Sequence, residues 1–226
     1  MIPIVVFASG RGTNFDAIQR SIEAKTLEAE VKAVVSDQPD ALVLKKARDA
    51  NIPVLVFPFP RGSGSLAERR QDHEKQILKE ILPLHPRFLV LAGYMRIITR
   101  DFIEAFRSEK GYSRIVNIHP SLLPAFPGVH SYAQAYRYGA HVAGVTVHLV
   151  EPSVDSGPIC AQEAFSIADC QSEEEVEKRG LEIEHRLFPQ TLRWVLPEAF
   201  SIESRKKLLS ETDRSETEWR ICVRSH

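Results

Sequence analysis

Ile115 to Gly128 reads I-V-N-I-H-P-S-L-L-P-A-F-P-G. Ile115, Val116 and Ile118 form an apolar strand end, and Pro120, Pro124 and Pro127 forbid helix or ladder beyond it, because proline has a fixed φ and no N–H to donate. The chain therefore leaves a sheet here as a stiff loop. Asn117 and His119 stand two apart, so strand alternation sends both side chains to one face and Ile118 to the other. An amide and an imidazole thus face one space at the carboxyl end of a strand, where an open α/β sheet holds its ligands.

On either side of this stretch, short apolar runs alternate with helical patterns. Strands are predicted at 2–8, 31–35, 54–57 and 88–92, and helices at 39–50, from the loop 58–65 to about residue 82, and at 99–106. Ser131 with Gln134 has the spacing of a capping box for a helix ending at Gly139, and Ser172 with Glu175 that of another, opening a long helix to Val195. Residues 141–150 alternate as a strand, Glu151 to Pro158 is turn-rich, and a last short strand is expected at 159–162. The pattern predicts an α/β fold with a doubly wound, mostly parallel, Rossmann-like sheet in a single domain spanning 1–196, followed by a polar, frayed tail at 197–226. The Ser9 loop, the Gly93 loop, the Asn117–His119 pair and the Asp155 loop all follow strands and are expected to meet at one sheet edge.

The 226 residues, 43% of them hydrophobic, suffice for one large domain or one domain with a tail. Lys and Arg (29) nearly balance Asp and Glu (30), so no broad positive field recommends nucleic acid or an anionic membrane, and the expected partners are small molecules. Oligomeric state is not legible. The apolar start, Met1 to Ala8, is too short to span a bilayer and lacks a basic segment or a small-residue cleavage site, so it reads as a first strand. Cys160, Cys170 and Cys222 are odd in number and none forms a C-x-x-C pair, which points away from a disulfide framework or thiolate zinc site and toward the cytoplasm.

After the first strand comes Ser9-Gly10-Arg11-Gly12-Thr13-Asn14, then Phe15, Ile18 and Ile22 at helical spacing. Strand, glycine loop and helix leave backbone N–H groups and a helix N-terminus aimed at one spot, which suits a phosphate; the plainer alternative is a tight turn. The dinucleotide fingerprint needs a third glycine where Phe15 stands, and no G-K-[ST] follows, so a monophosphate fits better than NAD or ATP. Asp37 after the second strand keeps the NAD reading open, as the acid that would hold a ribose.

Asn117, His119 and Asp155 bring an amide, an imidazole and a carboxylate without a Ser or Cys nucleophile, since Ser121 lacks the G-x-S-x-G elbow. Such a trio suits direct acyl transfer between two bound substrates. Asn117 and a protonated His119 would hydrogen-bond the oxyanion, while Asp155 keeps the imidazolium charged and helps move a proton off the incoming amine. By residue type alone, Asp155 in a D-S-G-P turn is more often an Asx-turn former than a catalyst, and His119 before proline could simply cap the strand. His119, His130, His141 and His148 raise a metal site, but without H-E-x-x-H or comparable spacing no metal is expected. Arg96, after a buried run, suits a ligand carboxylate, and Glu184 in the long helix reads by default as a solvated residue.

The motifs N-I-H-P-S-L-L-P with F-P-G, G-V-T-V-H (Gly144 to His148), D-S-G-P (Asp155 to Pro158), S-G-R-G-T-N (Ser9 to Asn14) and G-Y-M-R-I (Gly93 to Ile97) together resemble the phosphoribosylglycinamide formyltransferase family. The trio and its loop are common to folate-dependent formyltransferases and formyltetrahydrofolate deformylase. The N-terminal phosphate loop and the compact length favour the glycinamide ribonucleotide branch, as does the lack of the basic C-terminal domain of a methionyl-tRNA formyltransferase or of the regulatory domain that precedes a deformylase. The resemblance implies Asn117, His119 and Asp155 as the catalytic set. It implies Gly12, Thr13, Asn14 and Arg70 as holders of the ribonucleotide phosphate, with Arg69 and Arg11 as further candidates, and Glu184 as an acid touching the same substrate. Arg96, Ile97, Ile98, Val150 and Val154 would hold the folate. The implied co-substrate is 10-formyltetrahydrofolate, with the phosphate substrate on the N-terminal half, the folate on the C-terminal half and no metal. A deformylase and a non-catalytic nucleotide or folate binder are the alternatives.

Overall fold

A computed structural model describes residues 1–208 and 215–223. Five strands, β1 (Ile2–Phe7), β2 (Ala29–Ser36), β3 (Val54–Val56), β4 (Phe88–Leu91) and β5 (Ile115–His119), pair in parallel. Two more, β6 (Val142–Leu149) and β7 (Ile159–Ser166), add antiparallel, giving a seven-stranded sheet in the order β3-β2-β1-β4-β5-β6-β7. The chain runs outward from β1 through β2 to β3, then returns to place β4 on β1's other side. The crevice beyond the carboxyl ends of β1 and β4 is therefore the switch point at which such sheets bind ligands.

Among the described residues, six α-helices cover the sheet: α1 (Thr13–Glu23), α2 (Leu42–Asp49), α3 (Leu66–Ile81), α4 (Arg100–Glu104), α5 (Ser131–Tyr138) and α6 (Glu173–Val195). In β1, Ile4 and Val6 join one core with Phe15 and Ile18 of α1, Val43 of α2 and Phe188 of α6, while Val5 and Phe7 join a second core with Ile77 of α3 and Phe102 of α4. Burial on both faces is why this strand is a continuous apolar run instead of an alternating one. Ile118 sits in the first core, which leaves its neighbours Asn117 and His119 on the opposite face of β5, as the spacing requires.

Three local expectations are corrected. The capping box at Ser131 does not form: His130 is the N-cap, and the Ser131 hydroxyl lies 3.2 Å from His119 Nε2 instead. Ser172 does cap α6, accepting from the Glu175 N–H, but the Glu175 carboxylate reaches back to the Gln171 N–H, one residue beyond the expected reciprocal partner. The segment after Pro197 is not frayed throughout; β8 (Phe200–Leu208) and β9 (Ser215–Val223) pair as an antiparallel ribbon, and Phe200 is buried against Tyr112 and Trp194.

Candidate active site

A cavity of about 670 Å³ opens at the switch point and is lined by the glycine loop, the 93–98 loop, the end of β5, the 150–155 loop and α6. Its size is that of a pocket for a small organic ligand. His119 is buried at the end of β5. Its Nε2 lies 3.1 Å from the Phe126 carbonyl oxygen, and its Nδ1 lies 3.5 Å from Asp155 Oδ2. Both neighbours are acceptors, so each ring nitrogen has a partner to which an N–H there can donate. Asp155 is held in a left-handed conformation (φ 52°), with Oδ2 accepting from the Gly128 N–H at 2.8 Å. The 152–158 turn doubles back so closely that a Cβ on Gly157 would sit 1.9 Å from the Leu149 carbonyl oxygen. Only glycine fits there. Asn117, two residues before His119, has its Nδ2 3.2 Å from His148 Nε2. The three residues predicted as a trio thus share one corner of one cavity.

At the other end of the cavity, Gly12 serves as the α1 N-cap at φ 70°, and a Cβ on it would lie 2.7 Å from the Val43 side chain. Gly10, Arg11, Gly12 and Thr13 line the cavity beside the helix N-terminus, a suitable cradle for an anion. Asn14 Nδ2 donates to Glu184 Oε2 (2.6 Å) and the Tyr132 hydroxyl to Glu184 Oε1 (2.7 Å). Glu184 is therefore no solvated residue: it is buried, and burial pushes its carboxyl above the ordinary range against the pull of those two donors. Asn14 Oδ1 is buried without a partner among the described residues, leaving an acceptor at the cavity wall. Arg11 forms an exposed ion pair with Glu177 at the rim. Arg70 is not brought to the glycine loop. It lines a smaller, adjoining cavity of about 200 Å³ with Phe59, His73 and Glu74, which shares Tyr94 to Ile98 and Val129 with the large one.

Ile97, Ile98, Val150 and Val154 also line the large cavity, although Ile98 packs into the second core as well. Arg96 lies there too, but its guanidinium is engaged: Nε donates to Asp37 Oδ2 at 2.7 Å and the group stacks 4.6 Å from the centre of the Phe59 ring. Asp37 in turn accepts from Ser9 Oγ (2.6 Å) and Gln38 Nε2 (2.8 Å). Burial pushes the Asp37 carboxyl up, but the donors Ser9, Arg96 and Gln38 outweigh it and hold the group below its usual range. With every contact spent inside the protein, Asp37 is poorly placed to hold a ribose, which removes the support for an NAD site. Among the described residues, no group of three or more His, Cys, Asp or Glu is placed to hold a metal ion.

Sequence reasoning did not single out Ser9, Tyr132 or His148 as site residues. His148 stands opposite Asn117, and Thr146 opposite His119, in the β5–β6 register. Thr146 Oγ1 donates to the Ser121 carbonyl and accepts from the Leu123 N–H, which pins the proline-rich loop. The alternation of G-V-T-V-H signals that Thr146 and His148 share a face; what they meet depends on a pairing that no local pattern reveals.

The chain matches the family model described as "Formyl transferase" over residues 2–192. It is 37% identical over 196 residues to a Bacillus subtilis phosphoribosylglycinamide formyltransferase, covering 87% of this chain and 95% of that protein. Among solved structures, glycinamide ribonucleotide transformylase 1 from Symbiobacterium toebii superposes with a TM-score of 0.84 at 34% identity, over 99% of this chain and 94% of the other. Phosphoribosylglycinamide formyltransferase from Bacillus halodurans does so with a TM-score of 0.79 at 40% identity, over 87% and 96%. Fold, cavity and sequence agree, and the chain belongs to the phosphoribosylglycinamide formyltransferase family of formyl transferases.

Proposed function

We propose that this protein transfers the formyl group of 10-formyltetrahydrofolate to the primary amine of 5-phosphoribosylglycinamide, a step of purine biosynthesis. The observation that carries this reading is the convergence, in one cavity, of an amide–imidazole–carboxylate corner and an anion cradle at the α1 N-terminus. Gly12, Thr13 and Asn14 hold the phosphate end, with Arg11 in place of Arg70 as the nearer cation, and Glu184 binds the same substrate. The folate lies between the 96–98 segment and the 150–155 loop, with Ile97, Ile98, Val150 and Val154 as its apolar walls.

The neutral amine attacks the formyl carbon, forming the new C–N bond as the carbonyl electron pair moves onto oxygen. Asn117 N–H and the imidazolium of His119 stabilise that oxyanion. The long 3.5 Å approach of His119 Nδ1 to Asp155 leaves this N–H able to turn to the substrate oxygen. A proton then leaves the new ammonium with help from the Asp155 carboxylate and reaches N10 of the folate as the C–N10 bond breaks, giving the formamide and tetrahydrofolate. Holding both substrates in one cleft supplies the rest of the barrier reduction.

The test follows a 10-formyl folate analogue by absorbance with and without glycinamide ribonucleotide. Loss of the formyl group only when the amine is present, with formylated product recovered, is expected. Equal loss without the amine means water is the acceptor and the protein a deformylase; no loss in either case leaves a binder.

A further inference from the structure

His148 is a buried imidazole, 2% exposed, that the steps above do not use. Its Nδ1 lies 2.9 Å from the Leu149 carbonyl oxygen, which can only accept, so Nδ1 carries the proton. The neutral ring then offers one lone pair, at Nε2, and 3.2 Å from it is Nδ2 of Asn117. A side-chain amide has a donor end and an acceptor end, and a fixed acceptor beside it selects the donor end. We infer that His148 is a positioning residue for formyl transfer: as the neutral Nδ1–H tautomer it accepts one N–H of Asn117 and so holds the second N–H toward the oxyanion. This rests on the reading of Asn117 as an oxyanion donor. The ionisable groups around the ring are Asp155, with Oδ1 3.8 Å from Nε2, and His119 on β5. A protonated His148 would donate from both nitrogens, turn the Asn117 oxygen toward itself and displace the N–H that the reaction needs. Burial pushes the His148 imidazolium below its ordinary range, against the Leu149 carbonyl and Asp155, which keeps the acceptor in place.

Two substitutions separate this role from packing. His148→Asn keeps a polar amide whose reach ends near the Nδ1 position, whereas His148→Gln carries an acceptor to about the place of Nε2. The expected result is a fall in kcat of about 10-fold or more for His148→Asn, with KM for both substrates within about threefold, and recovery of most of that loss in His148→Gln. Asn117→Ala alone is expected to lose on the order of 100-fold, and adding His148→Asn to it should cost less than about twofold more, because the residue to be oriented is gone. Equal losses from His148→Asn in both backgrounds, or equal losses in the Asn and Gln variants, overturn the proposal. Full activity in Asn117→Ala removes Asn117 from the reaction altogether, and the role of His148 with it. Nitrogen NMR of wild-type protein carrying isotope-labelled histidine provides an answer independent of folding in the variants: at about pH 7 the His148 ring should be neutral with its proton on Nδ1, and a proton on Nε2 overturns the assignment.

Discussion

At Asp155 the backbone and the charge do separate jobs. The left-handed φ of 52° and the 2.8 Å bond from the Gly128 N–H fix where the carboxylate sits, while its charge faces two imidazoles. Asp155→Asn keeps a residue that tolerates this conformation and removes only the charge. It is expected to lose on the order of 100-fold in kcat while binding the folate within a few-fold of wild type. Steady-state kinetics with a folate titration checks this, and wild-type turnover would take Asp155 out of the mechanism. Glu184 presents the opposite case, a charge that the native state bears at a cost. Because burial raises its carboxyl pKa, the native protein holds that proton more tightly than the unfolded chain does, and the associated stability is lost as pH rises through the folded value. Glu184→Gln stays neutral, so its Tm should exceed that of wild type at about pH 8 and approach it at about pH 5. Its KM for the ribonucleotide should rise about tenfold, since an uncharged amide replaces a charged acceptor. A variant that melts below wild type at the higher pH contradicts this account.

At the scale of the element, the N-terminus of α1 is shaped by α2. The chain turns through Gly12 at φ 70° directly against Val43. Gly12→Ala meets two costs, about 1 kcal/mol for the left-handed conformation and about 1–3 kcal/mol for the overlap. Val43→Ala removes the contact at Cγ2 but leaves the Val43 Cβ, also 2.7 Å away, so it relieves the overlap only in part. In urea unfolding, Val43→Ala should therefore be less destabilising in the Gly12→Ala background than in wild type, and simple additivity would show that the Cγ2 contact contributes nothing to the cost of Gly12→Ala. Elements of this kind were legible to the degree that their signals were local. Asn117 and His119 could be placed because two residues on one strand end need no partner to share a face. Ser131 misled because a serine with Gln three residues on reads as a capping box, yet the hydroxyl instead faces His119. The ribbon after Pro197 was hidden by its charged residues, although Phe200 and Ile202 alternate and Ile202 pairs with Ile221.

At the scale of the molecule, two loops of the cavity are joined through a carboxylate that does not itself line it. Ser9 follows β1 and opens the glycine loop; its hydroxyl donates to Asp37 and accepts from the Met95 N–H, while Arg96 of the 93–98 loop donates to the other oxygen of Asp37. The sheet order brought these loops to one edge, and that much followed from the alternation of strand and helix. That Arg96 would spend its charge on Asp37, or that Arg70 would face a second cavity, depends on how α3 and the loop before it pack, and no periodicity encodes that. Asp37→Asn tests the junction. Losing the buried, charged acceptor that Ser9, Arg96 and Gln38 share should cost about 1–3 kcal/mol at about pH 7 and raise KM for both substrates, because both loops lose one anchor. The sign of the pH dependence is fixed by the depressed carboxyl: its stabilisation is present above the ordinary carboxylate range and is lost as pH falls through the lower folded value. Urea unfolding of wild type and Asp37→Asn should therefore show a gap at about pH 7 that closes toward about pH 3, as the wild-type carboxyl takes up the proton that makes it resemble the amide. A gap that stays constant with pH would mean that shape, and not charge, holds the two loops together.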